Sequence, residues 1–198
     1  MKKHLLPIIA IVVVLSVGIW RSFEDDSHPE SYTIGDFPVI AQPDNITCGP
    51  TCVVMLLEKY GVQATVSEVA EFAHTEIFEW EGQPIGGTAP EYLQKALNHW
   101  GVPSTYRACS LDMLKHYVSQ GRPCIALVRS WELGWHFVIV VGYDSENIEI
   151  VDPGYGQRYT MTETVFMGCW KFDTDMSGKW MDTAKGDILL MLVRSIHS

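Results

Sequence analysis

The hydrophobic pattern divides the chain into one long apolar run and a series of shorter periodic ones. Leu5 to Trp20 carries no charge; Lys2 and Lys3 precede it, and Glu24, Asp25 and Asp26 follow. Basic residues before and acidic residues after predict an N-inside orientation, with everything beyond residue 20 across a membrane. Residues 1–22 therefore read as a signal anchor or a signal peptide. The run falls short of the roughly twenty residues of a usual span, which suits a cleaved signal. It also lacks a small-x-small cleavage pattern beyond Ser16-Val17-Gly18, which makes an uncleaved single-span anchor the preferred reading. Residues 23–36 are polar and aperiodic, a linker, and 37–198 form one folded domain.

Within that domain Val53 to Leu57 is apolar throughout, Gly49-Pro50 suits a helix's first turn and Gly61 its stop, so a helix is expected from Cys48 onward. Val66 to Ala73 places apolar residues at 66, 69, 70 and 73 behind Thr65 or Ser67 as a cap, the spacing of an amphipathic helix. Gly82, Pro84, Gly86 and Gly87 make Glu81 to Ala89 a loop. Thr88 then caps a helix through Leu97 to Trp100, closed by Gly101. Val102 to Ala108 predicts a strand, and Leu111 to Val118 a helix ended by Gly121. Cys124 to Arg129 is an almost continuous apolar run, the mark of a central strand buried on both faces. Trp135 to Tyr143 and Asn147 to Asp152 form a hairpin about Asp144-Ser145-Glu146. Short strands are expected near Cys169 to Phe172 and Ile188 to Val193. Helices early and strands late predict an α+β domain, with helices packed on an antiparallel sheet.

Composition narrows the function. At 198 residues, 47 % of them apolar and 19 % charged, the chain is long enough for one real core and is neither disordered nor a multi-span membrane protein. A net charge of -10 makes nucleic acid an unsuitable partner, because its backbone demands basic surface. Of five cysteines, Cys52, Cys109, Cys124 and Cys169 read as buried thiols or disulfide partners, with Cys52 a small buried hydrophobe one turn after Cys48. With no Cys-x-x-Cys or His-x-x-x-His pair, no metal or other cofactor is expected. Trp80, Trp131 and Trp135 read as core or rim before cleft.

Cys48 stands where a cysteine becomes a nucleophile. Unpartnered N–H groups and the positive end of the helix dipole favour thiolate at a helix N-terminus. The same groups can stabilise an oxyanion, and Gln42, in the loop before the helix, offers a side-chain amide as second donor. A thiolate needs a base that returns the proton to a leaving amine, and imidazole suits both tasks near neutrality. His136 opens the long apolar strand and is the candidate among seven histidines. Asp152 ends the partner strand, where the hairpin brings it within one to three residues of His136, able to fix the ring's tautomer. A one-residue slip would place the two on opposite faces, and sequence leaves that register open.

Gln42, then Cys48-Gly49-Pro50-Thr51, then His136 through Gly142-Tyr143, then Asp152-Pro153-Gly154 resemble the C39 and C39-like family of papain-like cysteine peptidases, over roughly Pro38 to Arg194. The resemblance implies a papain-like fold and assigns Cys48 as nucleophile, His136 as base and acid, Asp152 as its orienter and Gln42 as oxyanion donor. It implies peptide-bond hydrolysis through a thioester, acting on a peptide or protein substrate. Members that remove double-glycine leaders are usually fused to exporters and work on the cytoplasmic side. This sequence has no ATP-binding motif and reads as facing the other way, held at the cell membrane or secreted. Two rival readings use the same residues: a catalytically silent domain that binds a peptide or partner, and an acyl transferase or cell-wall amidase.

Overall fold

The computed structural model of the chain describes residues 27–80, 83–108, 110–130, 134–170 and 189–193. The segment 1–22 lies outside them, and among the described residues no helix is long and apolar enough to cross a membrane. The architecture is α+β: a curled antiparallel sheet with five helices among the described residues.

The helices follow the apolar periodicity closely. The first, α1 (Cys48–Lys59), is buried from Cys48 to Leu57 and ends before Gly61, whose φ of +73° suits a residue without a side chain. α2 (Val66–Phe72) begins with a capping box: Glu68 N donates to Thr65 Oγ1 at 3.2 Å, and Thr65 N donates to Glu68 Oε2 at 2.7 Å. α3 (Pro90–His99) turns Pro90, Leu93, Ala96 and Leu97 inward, and α4 (Leu111–Ser119) is capped by Ser110. Thr88 does not cap α3 as the sequence suggested. Ala89 holds that position with Pro90 first in the helix, and the Thr88 hydroxyl bonds Thr75 Oγ1 at 2.7 Å.

The strands are β1 (Tyr32–Thr33), β2 (Glu76–Trp80), β3 (Gln83–Gly87), β4 (Ser104–Ala108), β5 (Cys124–Ser130), β6 (Gly134–Tyr143), β7 (Asn147–Asp152), β8 (Gln157–Thr162) and β9 (Leu189–Val193). The main sheet runs β4-β9-β5-β6-β7-β8, with β1 added to β6. β5 is central as its continuous apolar run requires, and Cys124 to Val128 are buried. A two-stranded ribbon of β2 and β3 stands apart. The expected glycine-rich loop is therefore half strand: Gly86 and Gly87 pair with Ile77 and Glu76. Backbone pairing needs no side chain, and at Gly86 a Cβ would run into the Ile46 side chain.

Two further expectations change. Residues 27–36 are not a free linker: β1 pairs with β6, Ile34 N donates to Val141 O at 2.7 Å, and the Tyr143 hydroxyl donates to Pro29 O at 3.1 Å. A two-residue strand has no period to read, and its partner lies far along the chain. The expected strand near Cys169 is instead the end of a helix, α5 (Glu163–Trp170). Phe166 and Trp170, four residues apart, share one helical face and are fully buried, which only a helix achieves here.

Candidate active site

Cys48 is the first residue of α1 and is 7 % exposed. The turn before it leaves the helix end unclaimed. Asp44 Oδ1 accepts from Ile46 N and from the Thr47 hydroxyl, both at 2.9 Å, so Thr47 is turned away and no side chain caps α1. Pro50 has no N–H to satisfy, which leaves those of Cys48 and Gly49 at the mouth of the helix. No acidic side chain lies in this first turn. Gly49 lets the helix approach the sheet: a Cβ there would lie 3.0 Å from both Leu93 methyls and 3.2 Å from the Phe137 ring.

His136 and Asp152 meet because β6 carries an extra residue. At the hairpin end Tyr143 faces Ile148 and Gly142 faces Glu149, but beyond Val141 the pairing shifts to Val140 with Ile150 and Ile139 with Val151. One step further sets Asp152 opposite Val138, two residues from His136 and on the same face. Without the bulge Asp152 would stand opposite Ile139 and point to the other side. The register that sequence left open is decided here. His136 Nε2 lies 2.6 Å from Asp152 Oδ1, with both side chains buried.

The remaining contacts hold this pair. Gly154 N donates to Asp152 Oδ1 at 2.7 Å, and the Tyr159 hydroxyl donates to Oδ2 at 3.0 Å. Burial works against charge on Asp152, yet His136, the Gly154 N–H and Tyr159 together keep its carboxyl below the ordinary range. Burial likewise opposes charge on His136, but hydrogen bonds to Asp152 and to Cys48, with the attraction of both, raise the ring to about 9. Since Nε2 is taken by Asp152, Nδ1 is the nitrogen left for Cys48. Tyr159 is pushed well up by burial and by the Asp152 charge beside it.

Gln42 joins the site through its backbone, donating from N to Pro153 O at 2.8 Å, which ties its loop to the turn after Asp152. Its side-chain amide donates to Asp44 O at 2.5 Å, and its Oε1 is buried without a hydrogen bond. Cys52 is fully buried and donates to Phe137 O at 3.5 Å; burial first, then the Cys48 and Asp152 charges, push its thiol well up. Cys48, Cys52 and Cys169 are free thiols, Cys124 is buried with its Sγ donating to Arg122 O at 3.4 Å, and Cys109 lies outside the described residues. Among the described residues no three His, Cys, Asp or Glu side chains are grouped to hold a metal. Trp135 is half-buried beside Arg129, whose guanidinium is 5.9 Å from its ring; Trp131 lies outside the described residues. Sequence reasoning missed Tyr159 and Gly154. Gly154 was visible in the Asp-Pro-Gly turn, whereas Tyr159 reaches Asp152 only across the β7–β8 pairing.

Known proteins share the sequence pattern and the fold. The profile of the Peptidase C39 family matches residues 36–173. An uncharacterized protein of Methanothermobacter thermautotrophicus is 26 % identical over 139 residues, 69 % of this chain and 84 % of its own length. A C39-like peptidase of Bacillus anthracis shares the fold at a TM-score of 0.63 and 16 % identity, over 85 % of this chain and all of that one. A double glycine motif protease from an AMS/PCAT transporter, solved with its leader peptide, gives 0.57 and 19 %, over 80 % of this chain and 91 % of that one. With the family profile spanning well over half its length, the chain belongs to the peptidase C39 family.

Proposed function

We propose that this protein is a cysteine endopeptidase that hydrolyses peptide bonds of a peptide or protein substrate outside the cytoplasm. The observation that carries the reading is the place of His136, with Asp152 on Nε2 and the Cys48 thiol as its other partner. In the proposed cycle the Cys48 proton passes to His136, Sγ bonds to the scissile carbonyl carbon and the carbonyl π pair moves onto oxygen. The N–H of Cys48 meets that oxygen, joined by the Gln42 amide once it turns from Asp44. Collapse breaks the C–N bond, the amine takes the proton of His136, and an acyl thioester remains. Water gives a proton to the now neutral ring as its oxygen bonds to the thioester carbon; the C–S bond breaks, the acid leaves, and Cys48 is returned as a thiolate beside the charged ring. Asp152 holds the ring in one tautomer and stabilises its charged form throughout.

A family neighbour solved with a leader peptide supports a peptide as the occupant. The basic start and acidic end of the Leu5 to Trp20 run support placement at the membrane, with the domain on the outer side. Activity-based labelling with a thiol-directed peptidase probe in membrane and secreted fractions tests both parts. Labelling confined to Cys48, lost in Cys48→Ala and in His136→Ala along with peptide cleavage, is the expected result. Undiminished labelling in both variants, or cleavage that survives Cys48→Ala, rejects the reading.

A further inference from the structure

His136 and Asp152 line a cavity of about 240 Å³ that Cys48 does not reach. The strand registers explain why. His136 pairs with Val128, and Val138 with Ala126, so Val128, His136 and Val138 share one face of the sheet with Ile150, Asp152, Tyr159 and Met161. Phe137 points to the opposite face, where its ring meets Gly49 of α1. The cavity thus opens on the side of the imidazole away from the helix that carries the thiol.

Its chemistry is apolar. Val138 and Ile150, each 1 % exposed, form the floor, Met161 and Tyr159 the walls, and Tyr155, 48 % exposed, stands at the edge. Asp152 is not free to greet a ligand, because His136 and Gly154 occupy Oδ1 and Tyr159 occupies Oδ2. At the rim Arg129, exposed, adds a positive charge to the side of the cavity that His136 lines. The volume lies below the roughly 300–1,000 Å³ of sites for drug-sized molecules and suits one large side chain.

We propose that this cavity receives the side chain of the substrate residue whose amine leaves, and that it selects an apolar residue such as leucine, methionine or phenylalanine. The inference rests on the peptidase reading above. During acylation the carbonyl carbon is bonded to Sγ of Cys48, while the departing nitrogen takes its proton from His136. The substrate beyond the cut bond therefore runs over His136, and a cavity lined by that ring but not by Cys48 is on the leaving side. Arg129 at its rim works against lysine or arginine there.

The test is digestion of a random octapeptide library by the whole protein, with mass-spectrometric reading of the residue after each cut. Leucine is expected over alanine by about tenfold or more, the usual worth of apolar contacts in a pocket, with lysine disfavoured further. In Met161→Trp, which fills the cavity, the leucine-to-alanine ratio collapses toward one. Tyr155→Ala, at an exposed position, lowers the same ratio and serves if the tryptophan variant does not fold. Because each readout is a ratio within one protein, a general change in activity cancels. Cleavage with no apolar preference, or a preference unchanged in the folded variants, overturns the subsite and leaves the peptidase reading standing. A library left intact by the unmodified protein rejects that reading and the subsite with it.

Discussion

At the scale of single residues, the site depends on how fully Asp152 is held. Its oxygens accept from a ring nitrogen, a backbone N–H and a phenol, so the carboxylate has no freedom to rotate away from His136. Tyr159→Phe removes one donor to a charged acceptor, worth about 1.5–3 kcal/mol. We expect kcat/KM to fall on the order of tenfold and the acid limb of the pH–rate profile to move up, because Asp152 then protonates more readily. A merely structural tyrosine would leave that limb in place. His136 sets the other limb. Its ring, raised to about 9 in the fold, keeps through neutrality the proton that the proposed cycle passes to the leaving amine, so activity should fall as pH passes about 9. The sign carries over to stability. A ring that binds its proton more tightly when folded contributes fully below its ordinary value of about 6.5 and loses that contribution as pH rises through about 9. Asp152, held low, contributes above about 4 and loses its share as pH falls below that. Melting temperatures of the protein and of Asp152→Asn across pH 3 to 10 check both windows; the variant should be flatter at each end.

At the scale of elements, two glycines let structural pieces meet at the distances the site requires. Gly142 lies beside the bulge where β1, β6 and β7 converge, and a Cβ there would sit 2.5 Å from Glu149 Oε2, 2.9 Å from Thr33 Oγ1 and 3.0 Å from Tyr32 O. Gly142→Ala should cost about 1–3 kcal/mol, typical of overpacking, because a backbone oxygen is among the atoms in the way. Thermal unfolding measures it directly. Gly49→Ala meets flexible Leu93 methyls as well as the Phe137 ring, so its cost in stability should be smaller. It nevertheless pushes the helix of Cys48 from the strand of His136. A fall in kcat out of proportion to the change in melting temperature is the expected signature, since small misplacements of reacting groups are expensive.

At the scale of the whole molecule, the sheet is closed at its hairpin end by residues that precede the helix of Cys48. Arg158 donates to both oxygens of Glu149, to Thr33 Oγ1 at 2.8 Å and to Ile34 O at 3.0 Å, binding β8, β7 and β1 in one network. His28 packs edge-on against Tyr143, and His116 Nδ1 lies 3.1 Å from Ser27 O. A chain beginning at Phe37 should therefore melt lower than one beginning at Ser27, and equal melting temperatures would make these contacts ornamental. The helices were legible because their apolar periods and stop glycines are local: Cys48 to Gly61 and Thr65 to Ala73 could be read from neighbours a few residues apart. So could β5, whose unbroken apolar run requires two covered faces. What sequence could not supply were agreements between distant stretches. The pairing of β1 with β6 and the burial of Phe166 and Trp170 in α5 depend on partners far along the chain; the pairing of Gly86 with Ile77 is nearer, nine residues back, but a glycine carries no side chain by which to announce a strand. The order of amino acids by itself determined which chemical groups are present and which secondary element carries each: a thiol at a helix start, an imidazole at a strand start, a carboxylate at a strand end. Only the tertiary structure decided that the last two share a face, because a strand's side chains alternate and one additional residue at Val141 reverses every orientation beyond it.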